Sequence, residues 1–219
     1  MRAAPLAALG LALVAAAPAR DWSATVTPNA AAAWVIGNPA ARVKLTEWAS
    51  YTCPHCAHFD AESRAVLKGR MIRSGSTSLE VRHLIRDPLD LAAVAIARCG
   101  GPRGFVGRHH AIFDGQSRWL QTGAAYLQKE GAALSKLAQP VAFRRIADAA
   151  GLTAIGKAAG LTEPQITACF AAPALDALTR LGQAPAEVQA TPSFFVNGRY
   201  VPDAGWAELQ PVLRQAGAR

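Results

Sequence analysis

Between residues 43 and 85 the chain runs extended, helical and extended again, and two cysteines sit at the first joint. Val43-Lys44-Leu45-Thr46-Glu47-Trp48-Ala49 alternates apolar positions as a strand does, which puts Val43, Leu45 and Glu47 on one face. A helix is expected from Cys53, or just after it, to about Ile72. It should turn Phe59, Ala65, Val66 and Leu67 inward, and Ser74-Gly75-Ser76 should end it. Residues 78–85 read as the next strand. This strand–helix–strand order is a βαβ unit, which implies parallel pairing and a right-handed crossover.

The rest of the chain is arranged around that unit. Residues 20–31 read as a tail, and Trp34-Val35-Ile36 as a strand stopped by Gly37-Asn38-Pro39. From 88 to about 189 the spacing is helical throughout, with breaks such as Gly100-Gly101-Pro102 and Gly151, and with helix starts at Leu152-Thr153 and Thr162-Glu163-Pro164. Strand character returns at Ser193-Phe194-Phe195-Val196. Asn197-Gly198 is a short-hairpin signal leading into Arg199-Tyr200-Val201, and residues 204–215 finish as a helix. The expected architecture is therefore α/β: a small sheet whose last hairpin and helix follow a helical insertion. With 51% hydrophobic and 17% charged residues in 219, disorder is excluded over most of the chain, as are collagen-like and coiled-coil readings. No internal apolar run approaches the ~20 residues of a membrane helix.

The first nineteen residues read as an export leader. Met1-Arg2 is a positive start, the apolar run continues to Ala17, and Ala17-Pro18-Ala19 is an A-x-A site with cleavage expected after Ala19. The periplasm is the expected location. The formal charge of +8 comes from arginines spread from Arg64 to Arg180 with no dense run, so it reads as solvated surface and nucleic acid is not an expected partner. In an exported chain four cysteines point to disulfides before zinc.

Cys53-Pro54-His55-Cys56 follows a buried-looking strand and opens a helix, the setting in which C-x-x-C is redox-active. A Cys53 thiolate there faces unpaired backbone N–H groups and the positive end of the helix dipole, with His55 as a further partner. These lower its pKa below the ~8.5 of a free thiol. Pro54 suits the first turn, where no amide donor is needed. A favoured thiolate makes the disulfide form the stronger oxidant. Cys53 is expected exposed and attacking, Cys56 buried and resolving. Glu47 lies on the inward strand face, where burial raises a carboxyl pKa toward a useful range. The alternatives are a zinc site on Cys53, Cys56 and His58, a plain structural disulfide, and a solvent-facing Glu47. Adjacent His109 and His110 should point apart and not chelate together, so no metal is expected.

Strand–CPHC–helix, a long helical insertion and then Thr-Pro-Ser-Phe-Phe-Val-Asn-Gly (191–198) resemble the DsbA-like branch of the thioredoxin superfamily, of alphaproteobacterial type. The resemblance spans nearly all of the mature chain. It implies a thioredoxin fold in two parts, 20–87 and 190–219, with a helical domain over 88–189 inserted between the βαβ unit and the C-terminal hairpin and helix. It also implies a cis Pro192 against Cys53, Thr191 offering its backbone to a substrate strand, and Glu47 beneath the dithiol shuttling the Cys56 proton. Cys99 and Cys169 are either bridged or two buried free thiols. Four cysteines allow three connectivities, and if Cys53 pairs with Cys56 only Cys99–Cys169 remains; related proteins carrying a second bridge favour that pair.

The function so implied is donation of the Cys53–Cys56 disulfide to folding exported proteins. Reoxidation would come from a quinone-linked membrane protein of the DsbB type, and no dissociable cofactor is needed. A reductase or isomerase of the same fold, or a binder handling metal through the dithiol, are the rivals. An isomerase of this kind uses an N-terminal stalk to oligomerise; residues 20–32 are too few for one, so a monomer is expected.

Overall fold

Strand β3 (Val43–Ala49) is central because it is paired on both sides. It runs parallel to β4 (Thr77–His83), Leu45 opposite Leu79, and antiparallel to β5 (Ser193–Val196), Glu47 opposite Phe194. Val43, Leu45 and Glu47 are buried on one face while Lys44 is exposed, as the alternation requires. The computed structural model describes residues 20–219, so the expected leader lies outside the described residues. Among these the sheet has six strands in the order β1-β2-β4-β3-β5-β6, with β1 (Val26–Pro28), β2 (Trp34–Gly37) and β6 (Arg199–Val201).

Strand β1 corrects the reading of 20–31 as a tail: Thr27 pairs antiparallel with Val35 on the edge of the sheet. Three residues carry no periodicity to detect, and Pro28 is tolerated because an edge strand leaves one side unpaired. Strand β4 stops at His83, short of the expected residue 85, because Leu84 N–H donates to the Ala49 carbonyl and the chain then turns toward Asp87.

The helix that follows β3 begins at Pro54 and reaches Ile72, but in two forms: α1 (Pro54–Val66) is α-helical and Leu67–Ile72 is a π-helical extension. The buried row is Cys56, Phe59, Asp60, Ser63 and Leu67, at i, i+3 and i+4 steps. Ala65 is exposed and Val66 half-buried, against the expectation that both turn inward; they lie off that row. Widening at Leu67–Ile72 lets Leu67, Met71 and Ile72 all reach the core.

Between β4 and β5 lie α2 (Pro88–Arg98), α3 (Phe105–Asp114), α4 (Gln116–Leu134), α5 (Gln139–Ala150), α6 (Leu152–Ala158), α7 (Glu163–Cys169) and α8 (Ala172–Leu181). Every residue from Leu89 to Ala97 is buried, four of them alanines, so α2 is the axis around which its neighbours pack closely. Thr162 caps α7, accepting from the Gln165 N–H while the Gln165 side chain accepts from Thr162 N–H. Cys99, at the end of α2, is bonded to Cys169, at the end of α7, with Cα atoms 5.6 Å apart. After β5, Asn197 and Gly198 take φ of +50° and +80°, the two positive values a type I′ hairpin demands. Helix α9 (Trp206–Gln215) then packs Leu209 and Leu213 into the core. A βαβ unit closed by a hairpin and helix, with helices between, is the thioredoxin fold with its insertion.

Candidate active site

The two cysteines stand where β3 ends and α1 begins, outside the carboxyl end of the central strand, where open α/β sheets place their sites. Cys53 is the N-cap and Pro54 the first helical residue, so the Cys53 sulfur stands at the positive end of the helix, without a capping hydrogen bond from its side chain. The approach loop is pinned by side chains from the insertion. Asp90 of α2 accepts from Ser50 Oγ and from Tyr51 N–H at 2.9 Å. Gln116, first residue of α4, donates to the carbonyls of Tyr51 (2.8 Å) and Cys53 (2.9 Å). Neither residue carries a motif, so sequence reasoning missed both; three of these four partners are backbone atoms, which leave no mark on residue types.

Across the sheet, the Thr191–Pro192 peptide bond is cis and the Cys53 thiol donates to the Thr191 carbonyl at 3.1 Å. Thr191, Pro192 and Cys53 therefore meet, although 138 residues separate Thr191 from Cys53. The expectation of an exposed Cys53 is corrected: it is 3% exposed and Cys56 is fully buried, because the Thr191 strand entry lies over the first sulfur. Pro54 and His55 form the exposed outer rim. His58 points to solvent beside Glu62 at 3.1 Å and does not join the sulfurs, while Cys99 and Cys169 are spent on each other, so the zinc set is not assembled.

The sulfurs titrate in opposite directions. A hydrogen bond from the Cys56 thiol, helped by the backbone N–H groups of Cys56 and His55, lowers Cys53 to about 5 against the opposing effect of burial. Burial pushes Cys56 far up, and its bond to Cys53 and the charge of Glu47 push the same way. The proton therefore stays on the inner sulfur. Since the folded Cys53 value lies below the unfolded one, its contribution to the stability of the reduced protein is full above the unfolded value of 9.0 and is lost as pH falls through about 5. Ultraviolet titration of the thiolate should give a midpoint near that lower value.

Glu47 is 2% exposed, and its Oε1 has no hydrogen-bond partner. Burial, with the nearby Asp60 charge, raises its pKa to about 8. A carboxyl raised on folding favours the folded state less as pH climbs from the unfolded value of 4.5 to the folded value of about 8. Glu47→Leu should therefore gain roughly 3 kcal/mol over the parent between about pH 5 and about pH 8. Denaturant melts of the reduced protein at both pH values check this. An unchanged difference would show that Glu47 is ionised within the fold at neutral pH.

His109 and His110 correct another expectation. Both reach Asp60 of α1: His110 Nδ1 stands 2.8 Å and His109 Nε2 3.7 Å from Asp60 Oδ1. Adjacent rings can do this because one carboxylate oxygen, buried where α1 meets α3, is approached from two sides. His109 is further held by the Tyr51 hydroxyl at 2.9 Å from Nδ1, and burial keeps its pKa down at about 4. Arg64 pairs with the other Asp60 oxygen.

The profile of the thioredoxin family matches residues 29–215. A protein provisionally named as a protein-disulfide oxidoreductase in Rickettsia typhi is 31% identical over 165 residues, 75% of this chain and 54% of its own length. A similarly named protein of Rickettsia prowazekii is 30% identical over the same length. The chain spans about half the length of these relatives. The crystal structure of a protein-disulfide isomerase from Novosphingobium aromaticivorans shares 31% identity and a TM-score of 0.75, over 84% of this chain and 96% of that one. Alpha-DsbA1 of Wolbachia pipientis has the same fold at 18% identity and a TM-score of 0.63, over 83% of this chain and 89% of that one. The chain belongs to the thioredoxin family.

Proposed function

We propose that the protein donates its Cys53–Cys56 disulfide to cysteine-containing proteins folding in the periplasm. A client thiolate attacks the Cys53 sulfur; the client–Cys53 bond forms, the Cys53–Cys56 bond breaks, and Cys56 leaves with the electron pair. Glu47 supplies the proton that Cys56 then holds. A second client thiolate attacks the client sulfur of the mixed disulfide, the client disulfide forms, and Cys53 departs as a stabilised thiolate. Two electrons have passed from client to protein, and no dissociable cofactor takes part. Thr191 holds the client strand beside Pro192 by its backbone. A membrane protein of the DsbB type, linked to quinone, takes the electrons on. The protein works as a monomer, exported by its leader.

The observation that carries this reading is the unequal pair of sulfurs. Cys53 is favoured as a thiolate and Cys56 as a thiol, which stabilises the reduced form and makes the oxidised form give its bridge away. Equilibration with glutathione tests it. The expected potential is clearly more oxidising than the about −270 mV of thioredoxin. A value at or below that figure would overturn donation in favour of a reductase. The isomerase name of the Novosphingobium relative supports a second reading, in which the same thiolate reshuffles bridges. Refolding of scrambled ribonuclease compared with oxidation of reduced ribonuclease separates the two.

A further inference from the structure

Beside the Glu47 side chain, walled by β2, β3, β4, α1 with its π-helical extension and α3, lies a cavity of about 20 Å³, enough for one water molecule. Glu47, Asp60, His109 and His110 line it, with Phe59 and Lys68 beside them. Three residues lining it have a polar atom that is shut from solvent and has no partner: Glu47 Oε1, His110 Nε2 and Arg64 Nε. His110 cannot turn freely, because its Nδ1 is fixed on Asp60 Oδ1 at 2.8 Å. The atom left for exchange is Nε2. Nε2 is shut from solvent, and the 15% exposure of the side chain lies on its other atoms.

We propose that His110 is a positioning and relay residue for the Glu47 proton, linked to Glu47 Oε1 through one water in this cavity. The inference rests on Glu47 serving as the acid–base partner of Cys56. When Cys56 leaves as a thiolate it takes the Glu47 proton; the carboxylate takes one from the water, and the water takes one from His110 Nε2. When Cys56 must later lose its proton to attack, the same path runs backwards and His110 Nε2 receives it. With Arg64 Nε left unpartnered in the same cavity, the charged groups around His110 are placed as follows. Asp60 holds its other nitrogen, Arg64 bridges Asp60 and Asp114, His109 is tied to Tyr51, and Lys68 lines the far wall.

The test follows the reduced protein reacting with oxidised glutathione. The first step, attack by Cys53, depends on glutathione concentration; the second, attack by Cys56 on the mixed disulfide, does not. His110→Asn keeps an amide donor toward Asp60 and removes the exchanging nitrogen. It should slow the second step about tenfold, less than the roughly hundredfold or more of a direct acid–base partner, since His110 acts through Glu47. The first step and the Cys53 titration should stay as in the parent, which a general loosening of the fold would not allow. Glu47→Gln should slow the second step further, and the double variant should be no slower than Glu47→Gln alone. His110→Gln serves if the first variant does not fold. A parental second step in the His110 variants with a slow Glu47→Gln, or a slow Lys68→Met in their place, overturns the relay while leaving Glu47 in its role. A parental second step in Glu47→Gln shows instead that the reading of Glu47 is wrong, and the relay falls with it.

Discussion

Cys53→Ser should reduce both the oxidation of reduced ribonuclease and the reduction of insulin to the uncatalysed background. A serine hydroxyl can neither accept attack as half of a disulfide nor ionise at neutral pH, and no other sulfur can take its place. Cys56 is fully buried with its pKa forced upward, and Cys99 and Cys169 are joined to each other. Cys56→Ser should behave differently. Cys53 can still form a mixed disulfide but has no internal thiol to release it, so client adducts should accumulate on non-reducing gels. Retained turnover in Cys53→Ser would mean that exchange runs through another group, and the proposed function would be wrong.

The second large effect is on stability. Replacing Cys99 and Cys169 with alanine together opens a loop of 70 residues and should cost roughly 4 kcal/mol in the loop-entropy account. Urea unfolding should show a lower midpoint, together with a steeper dependence on denaturant if the freed chain unfolds more fully. The Cys53 titration should not move, because the bridge ties the ends of α2 and α7 and touches none of the groups that hold Cys53. A midpoint equal to the parent's would place the stabilisation elsewhere.

What was legible in the sequence was what local periodicity and covalent spacing can carry. The alternation of 43–49 placed Glu47 on the buried face beside Val43 and Leu45, and Asn197-Gly198 specified its hairpin by conformation alone. Strand β1 was not legible, since three edge residues make no pattern. Of the inward face read for the helix after β3, Phe59 and Leu67 are buried as read, but Ala65 is apolar and exposed, whereas Asp60 and Ser63 are polar and buried. Burial there follows the helical row, and the polar members are kept by partners distant in sequence, as Asp60 is by His110 and Arg64. Gln116 and Asp90 were invisible for the same reason. Reading the helix start as a place that favours a thiolate did not need tertiary information, but the cover over Cys53 did: it comes from Thr191, across the sheet.

The ladder between β3 and β5 has a consequence for how such chains diversify. The nucleophile and the proline turn that faces it are fixed by neighbouring strands, so the route the backbone takes between them is free to vary. A foreign bundle grafted between β4 and β5 would have to reproduce the carboxylate of Asp90, the amide of Gln116 and the ring nitrogens that His109 and His110 turn to Tyr51 and Asp60 to leave this corner undisturbed.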